Sequence, residues 1–392
     1  MRRKHFLATG TLLLVMVSVA AGVVASRAPS SDDESTYGYL RLFNEVLALV
    51  KNSYVEDVPQ DDLMKGAYAG LLASLDGESE YMTAAEYQQI KSGAGENDAD
   101  VGISLTRRDG VLFVAAVLPG TDAQAKGLRI GDQIRRIGER SSRDMTLSEA
   151  ARALRGPSGS SLVISVTRRD EPRREDVDVA RKRLALPGPR LDAPQDGVAV
   201  VRIPAFGAGT TKALAGILER LQKEKLKQAV FDLRANAWGD VDEAVRSATL
   251  LVGPTTIAKI HDRRGGEKAI AGTGAKGPWA GEALLLTDAG TAHAAEIFVG
   301  ALVDAGVAKQ GGETTLGRGG EQEILPLANG DYISLTVRKY VSPSGKTWHG
   351  TGLAPTVSLP SDPSAPFKER ADRQLRKAVD WFKESSQGAK AA

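Results

Sequence analysis

The sequence predicts an α+β multidomain chain with a helical N-terminal region, a β-rich middle carrying helices, and an α/β C-terminal core. Three patterns predict it. From Tyr37 to about Gly93, apolar residues such as Leu40, Phe43, Leu47, Val50 and Tyr54 recur every three to four positions, the spacing of one helix face. Residues 101–184 alternate short β runs with turns. From Gly197 onward strand and helix patterns alternate, the signature of a sheet with parallel strands.

The chain has 392 residues, more than one ordinary core holds, so two or three domains are expected. Hydrophobic residues are 42% and charged residues 26%, values of a globular protein. The net charge is +2, and no basic stripe is interleaved with aromatics, so no nucleic-acid partner is expected. There are no cysteines, which excludes disulfides, thiolate zinc sites and a cysteine nucleophile. The four histidines, His5, His261, His293 and His349, are too scattered for a His-rich metal centre; no metal or cofactor is expected.

Arg2, Arg3 and Lys4 precede an apolar run from Phe6 to Ala25, with small residues Val23 and Ala25 where a signal peptidase could cut. Residues 1–26 are therefore read as a signal peptide or a membrane anchor through 6–25. The basic flank would stay in the cytoplasm and the rest would face the periplasm or cell envelope. Residues 27–36 read as a polar linker and 37–96 as the helical region, ending in the polar break GAGENDAD (93–100).

Within 97–184, VLFVAAV (111–117) and LVISVTR (162–168) read as strands. Between them MTLSEAARALRG (145–156) reads as a helix, with a capping box at Thr146 and Glu149 and a stop at Gly156. Residues 185–196, rich in Pro and Gly, mark a boundary before a core at 185–361. Strands are expected at 198–204, 228–233 and 283–287, helices at 209–223, 240–251 and 293–304, and an antiparallel addition at 322–327 and 331–341. The remainder, 362–392, reads as a helix to 385 and a frayed tail.

The segments VGISL (101–105), VAAVLPGTDAQAKGLRIGDQIRRIG (114–138) and ARALRGPSGSSLVISVTR (151–168) resemble a PDZ domain. The resemblance implies a groove in which a peptide adds as a strand to an open sheet edge beside a helix. It places the carboxylate-holding turn at Val101–Gly102–Ile103, the recipient strand at Ser104 and Leu105, and a side-chain pocket at Leu147, Ala151 and Leu154.

Residues 37–360 resemble the carboxyl-terminal processing peptidases, or tail-specific proteases. The motifs are LDGESEYM (75–82), DLRANAWGD (232–240), GTAHAAEIFVGAL (290–302), GETTLGRGGEQ (312–322) and PLANGDYISLTVRKYVSPSGKTWHGTGLAP (326–355). Carried over by position, the family's nucleophilic serine falls on His293 and its general-base lysine on Arg318, while the glutamine that orients the lysine is retained as Gln322. A serine–lysine dyad needs a hydroxyl that attacks and a neutral amine that takes its proton. Arginine stays charged, with a pKa above about 12.

Further departures fall in the same place. A second family serine is Ala295, and Thr291 does not stand at the nucleophile position. The family's Pro-Gly-Gly turn reads Ala237–Trp238–Gly239, which leaves oxyanion stabilisation to Trp238, Gly239 and the Ala294 N–H. The LDPHS motif has lost its Pro and His to Gly77 and Glu78. The resemblance thus implies a degenerate member: a pseudoprotease that binds protein C-termini or partner proteins. Its expected partners are unfolded or C-terminal peptides of envelope proteins, an active protease relative, and the membrane through the N-terminal segment. The alternative is an active serine-type endopeptidase cleaving near substrate C-termini.

Other motifs carry less. SPSGKT (342–347) lacks the earlier glycine of a phosphate loop, GGETTLGRGG (311–320) lacks dinucleotide spacing, and no GxSxG is present. His261 and His349 are read as isolated surface residues.

Overall fold

The structure, a computed structural model, describes residues 31–92, 98–168, 173–362 and 367–391. The proposed signal or anchor segment lies outside them. Among the described residues no helix is long and apolar enough to cross a membrane. The chain divides into two compact units, with the boundary between Tyr68 and Ala69.

The first unit holds α1 (Ser31–Ser53) and the start of α2 (Gln60–Ala73). Residues 31–36 belong to α1 rather than to a linker.

The second unit begins with the end of α2, a short strand β1 (Glu80–Met82) and α3 (Ala84–Lys91). Thr83 caps α3 in a capping box with Glu86. The PDZ-like part follows: β2 (Asp98–Ala99), β3 (Ile103–Arg108), β4 (Val111–Val117), α4 (Asp122–Ala125), β5 (Gln133–Ile137), β6 (Arg140–Ser141), α5 (Leu147–Ala153), β7 (Gly156–Pro157), β8 (Ser161–Thr167) and β9 (Glu175–Ala180). The Thr146–Glu149 capping box is present at α5. The main sheet runs β3-β4-β5-β8-β9, so β3 is an edge strand. Its core is formed by Val101, Ile103, Leu105, Val114, Ile134, Leu154, Ile164 and Val179 among others.

The C-terminal core is built on a six-stranded sheet, β10 (Arg190–Gln195), β11 (Val198–Arg202), β12 (Gln228–Asp232), β15 (Glu282–Thr287), β16 (Ala308–Gly312) and β19 (Val357–Ser358), in that order. Pairing is parallel from β11 to β19, and β10 joins antiparallel at the edge. The boundary expected at 185–196 thus carries a strand. Pro194 is tolerated there because it sits in an edge strand at a register shift.

Alternation along the strands explains why both faces are covered. Ala199, Val201, Phe231 and Leu285 face α6 (Thr210–Lys223), α7 (Val241–Val252) and α8 (Ala294–Asp304). Val198, Val200, Val230 and Leu284 face Leu375, Val379 and Phe382 of α9 (Phe367–Ala391). That helix continues to Ala391, past the fraying expected from 386.

A second, antiparallel sheet joins β1, β18 (Tyr332–Val341), β13 (Thr256–Asp262) and β14 (Glu267–Ala271), with β17 (Gly320–Pro326) also on β18. The expected antiparallel addition is therefore a sheet of its own. It takes in β1 from far upstream, and the hairpin β13–β14 was not anticipated.

Candidate functional site

The site is built at the turn between β15 and α8. His293 is the N-cap of α8 and has φ 54° and ψ −112°, a positive-φ conformation that is strained for a residue with a Cβ. The wholly buried Glu296 fixes it. Its carboxylate accepts the His293 N–H at 2.9 Å, the Gly317 N–H at 2.7 Å and the Thr315 hydroxyl at 2.5 Å. Burial pushes the Glu296 carboxyl up to about 7 against these bonds. Thr291 is wholly buried and donates its hydroxyl to the Leu233 carbonyl at 2.8 Å, so that hydroxyl is engaged in the fold. Ala294 opens the helix, where backbone N–H groups have no intrahelical acceptor.

Arg318 follows the loop that Glu296 holds. Its Nε lies 2.7 Å from Glu78 Oε1, and both side chains are 19% exposed. Its Nη2 donates to the Leu105 carbonyl at 2.6 Å, which ties the loop to strand β3. Gln322 donates to the other oxygen of Glu78 at 3.1 Å and to Thr336 Oγ1 at 3.2 Å. Burial first, and the Arg318 charge second, hold the His293 imidazole below its ordinary 6.5, so it is neutral near pH 7. Tyr340 presents its ring edge-on to His293 at a centroid distance of 6.4 Å. A cavity of about 860 Å³ opens beside Glu78, Arg107, Thr315, Arg318 and His349.

The Ala237–Trp238–Gly239 turn lies against the same elbow. The Ala292 N–H donates to the Asn236 carbonyl at 2.8 Å, and Ala237 packs on Ala115, Ala292 and Leu316. Trp238 is half-buried, and its carbonyl accepts the Phe206 N–H at 3.0 Å. Gly239 has φ 125°, and a Cβ there would sit 2.5 Å from the Phe206 carbonyl, so only glycine fits. His293, Arg318, Gln322 and the turn at 237–239 therefore belong to one locality.

The PDZ residues divide. Val101, Ile103 and Leu105 put their side chains into the domain core and leave the groove edge to backbone groups, with Ser104 half-buried between them. Gly102 has φ 79° and lies so close to Thr121 that a Cβ would reach 2.4 Å from its methyl. Leu154, read as pocket lining, is instead a core residue at 1% exposure; it lies on the sheet-facing side of the helix end. Leu147 packs partly against the core and Ala151 is exposed.

His349 is not an isolated surface residue. Its Nε2 lies 3.6 Å from Asp76 Oδ2, it is half-buried, and Asp76 raises its pKa. The pairing escaped sequence reading because its partner is far away in the chain. Glu78 was legible as a lost histidine, but its pairing with Arg318 was not. The one signal available was that both positions depart from the family pattern together.

Comparison with known proteins fits this geometry. Residues 197–359 match the model of peptidase family S41, and residues 89–167 match the PDZ domain model. The chain carries a peptidase family S41 domain and a PDZ domain. The "Probable CtpA-like serine protease" of Staphylococcus aureus strain N315 is 26% identical over 353 residues, covering 89% of this chain and 70% of that protein. The "Carboxy-terminal-processing protease" of Bartonella bacilliformis is 26% identical over 389 residues, covering 96% of this chain and 89% of that protein. The solved photosystem II D1 C-terminal processing protease shares the fold with a TM-score of 0.68 at 24% identity, over 80% of this chain and 85% of that one. The S41 domain thus supplies the elbow, the Arg318 loop and the turn at 237–239, while the PDZ domain supplies β3.

Proposed function

We propose that this chain is a pseudoprotease of the S41 type that binds protein C-termini or partner proteins through its PDZ domain. The carrying observation is Arg318. It stands where the family resemblance puts the general-base lysine, with its guanidinium ion-paired to Glu78 and bonded to the Leu105 carbonyl. A guanidinium cannot accept a proton at physiological pH. Position 293 itself carries an imidazole and not a hydroxyl, and burial and the Arg318 charge hold that imidazole in its neutral form.

The chain is proposed to act on the outer side of the cytoplasmic membrane, exported or anchored by residues 6–25. The polarity of the N-terminal segment, basic then apolar, supports this. Its partners there would be unfolded or C-terminal segments of envelope proteins, or an active protease relative.

The test is restoration. The variant carrying His293→Ser and Arg318→Lys is incubated with an unstructured protein that has an apolar C-terminus. Appearance of truncated product, absent with the natural chain, supports a scaffold that lost only its dyad. Equal cleavage by both proteins sinks the reading.

A further inference from the structure

The carboxylate-holding turn of the PDZ domain already contains a carboxylate, and it is the chain's own. Asp100 immediately precedes the turn. Its Oδ1 accepts the Gly102 N–H at 2.7 Å, and the Val101 N–H also points at this group. Its Oδ2 lies 3.7 Å from Arg155 Nε, just beyond helix α5, and the Arg181 charge is close by. Backbone amides and guanidinium groups are what the terminal carboxylate of a peptide would seek there.

The arrangement is fixed in place. Asp100 exchanges two backbone hydrogen bonds with Lys182, each 3.0 Å, and Gly102 is pressed against Thr121. Further along the same strand, the Leu105 carbonyl is taken by Arg318. A ligand entering with its own carboxylate would meet a like charge at the site it needs and would have to displace Asp100 first.

We propose that Asp100 is a built-in ligand of the carboxylate-holding turn, so that the groove selects internal extended segments of a partner chain over free C-termini. This rests on the reading of the PDZ groove as the binding surface and chooses between the two ligand classes of that reading. An internal segment needs only the strand edge short of the Leu105 carbonyl, which Arg318 holds, and brings no terminal charge.

The experiment uses the full chain and decapeptides randomised in their last four residues, made as two pools, free acids and C-terminal amides. Binding is read by fluorescence anisotropy. The natural chain is expected to bind the amide pool about 3-fold or more tighter than the acid pool, because only the acids bring a charge that meets Asp100. In Asp100→Ala the vacated amides and arginines should favour the acid pool by about 10-fold, the scale of a charge-assisted contact. Asp100→Gly removes the same carboxylate and serves if the alanine variant does not fold. A merely structural role for Asp100 would shift both pools alike and leave their ratio as it is in the natural chain, which overturns the proposal. So does a natural chain that binds the acid pool as tightly as the amide pool or more tightly. If neither pool binds any of these folded proteins, the groove reading itself fails, and the proposal falls with it.

Discussion

Glu78 and Arg318 meet with Oε1 and Nε 2.7 Å apart, and the second oxygen of the same carboxylate takes Gln322 at 3.1 Å. The residues that depart from the family pattern at these two positions have thereby become each other's partner. An ion pair with 19% exposure at both ends is desolvated enough that removing one member leaves the other poorly compensated. Glu78→Ala and Arg318→Ala should each destabilise by about 1–3 kcal/mol, below the fully buried case because water still reaches the pair. Urea denaturation of both single variants and the double should return a coupling energy above about 0.5 kcal/mol. Strict additivity would mean the pair contributes nothing.

The same contact limits any attempt to restore catalysis. A lysine at 318 would face the Glu78 carboxylate, and an adjacent negative charge favours protonated amine. Adding Glu78→His to His293→Ser and Arg318→Lys should therefore raise cleavage by about 10-fold or more over the two-residue variant at neutral pH, since one pKa unit is worth that much base. Equal rates would show that Glu78 does not control the amine.

The Asp76–His349 pair gives a pH signature. Burial opposes ionisation of Asp76, but the His349 imidazole 3.6 Å away and hydrogen bonds from the N–H groups of Glu78 and Ser79 hold its carboxyl well below the usual range. Asp76 therefore contributes stability above its unfolded pKa of 3.8, and that is lost in acid. The His349 pKa is raised by Asp76, so its contribution is fully present below the unfolded 6.5 and disappears as pH rises through the folded value. Between pH 5 and pH 8 the natural chain should lose about 0.5 kcal/mol more stability than His349→Ala, a modest figure for a pair that water still reaches. Thermal melts at the two pH values check it, and parallel curves would contradict it.

Gly239→Ala tests how tightly the turn at 237–239 is held against Phe206. The new Cβ would fall 2.5 Å from the Phe206 carbonyl at a φ of 125°, so the backbone must move. A loss of about 2–4 kcal/mol is expected, from strain and the broken pairing to Phe206. A variant as stable as the natural chain would show that the turn relaxes freely.

Much of the fold was legible where local patterns are strong. The strand at Val111–Val117 and the helices α6, α7 and α8 came out within a residue or two, because their apolar periodicity is uninterrupted. The strand β10 hid behind Pro and Gly composition, and the hairpin β13–β14 behind an exposed, charged face. At the site, sequence named His293, Arg318 and Gln322 through motif position alone. It could not name Glu296, Asp76 or the bond from Arg318 to Leu105, since those depend on contacts between segments remote in the chain. Leu154 went wrong for a related reason: its helical spacing fits a groove face and a core face equally well.

The most direct measurement is turnover by the natural chain itself. Purified protein is mixed with an unfolded substrate ending in apolar residues, and products are followed by mass spectrometry over a day, with His293→Ala run in parallel. An intact substrate is expected in both reactions. Peptide products that appear with the natural chain and vanish with His293→Ala would contradict it, since a catalytic group would then be at work on the elbow.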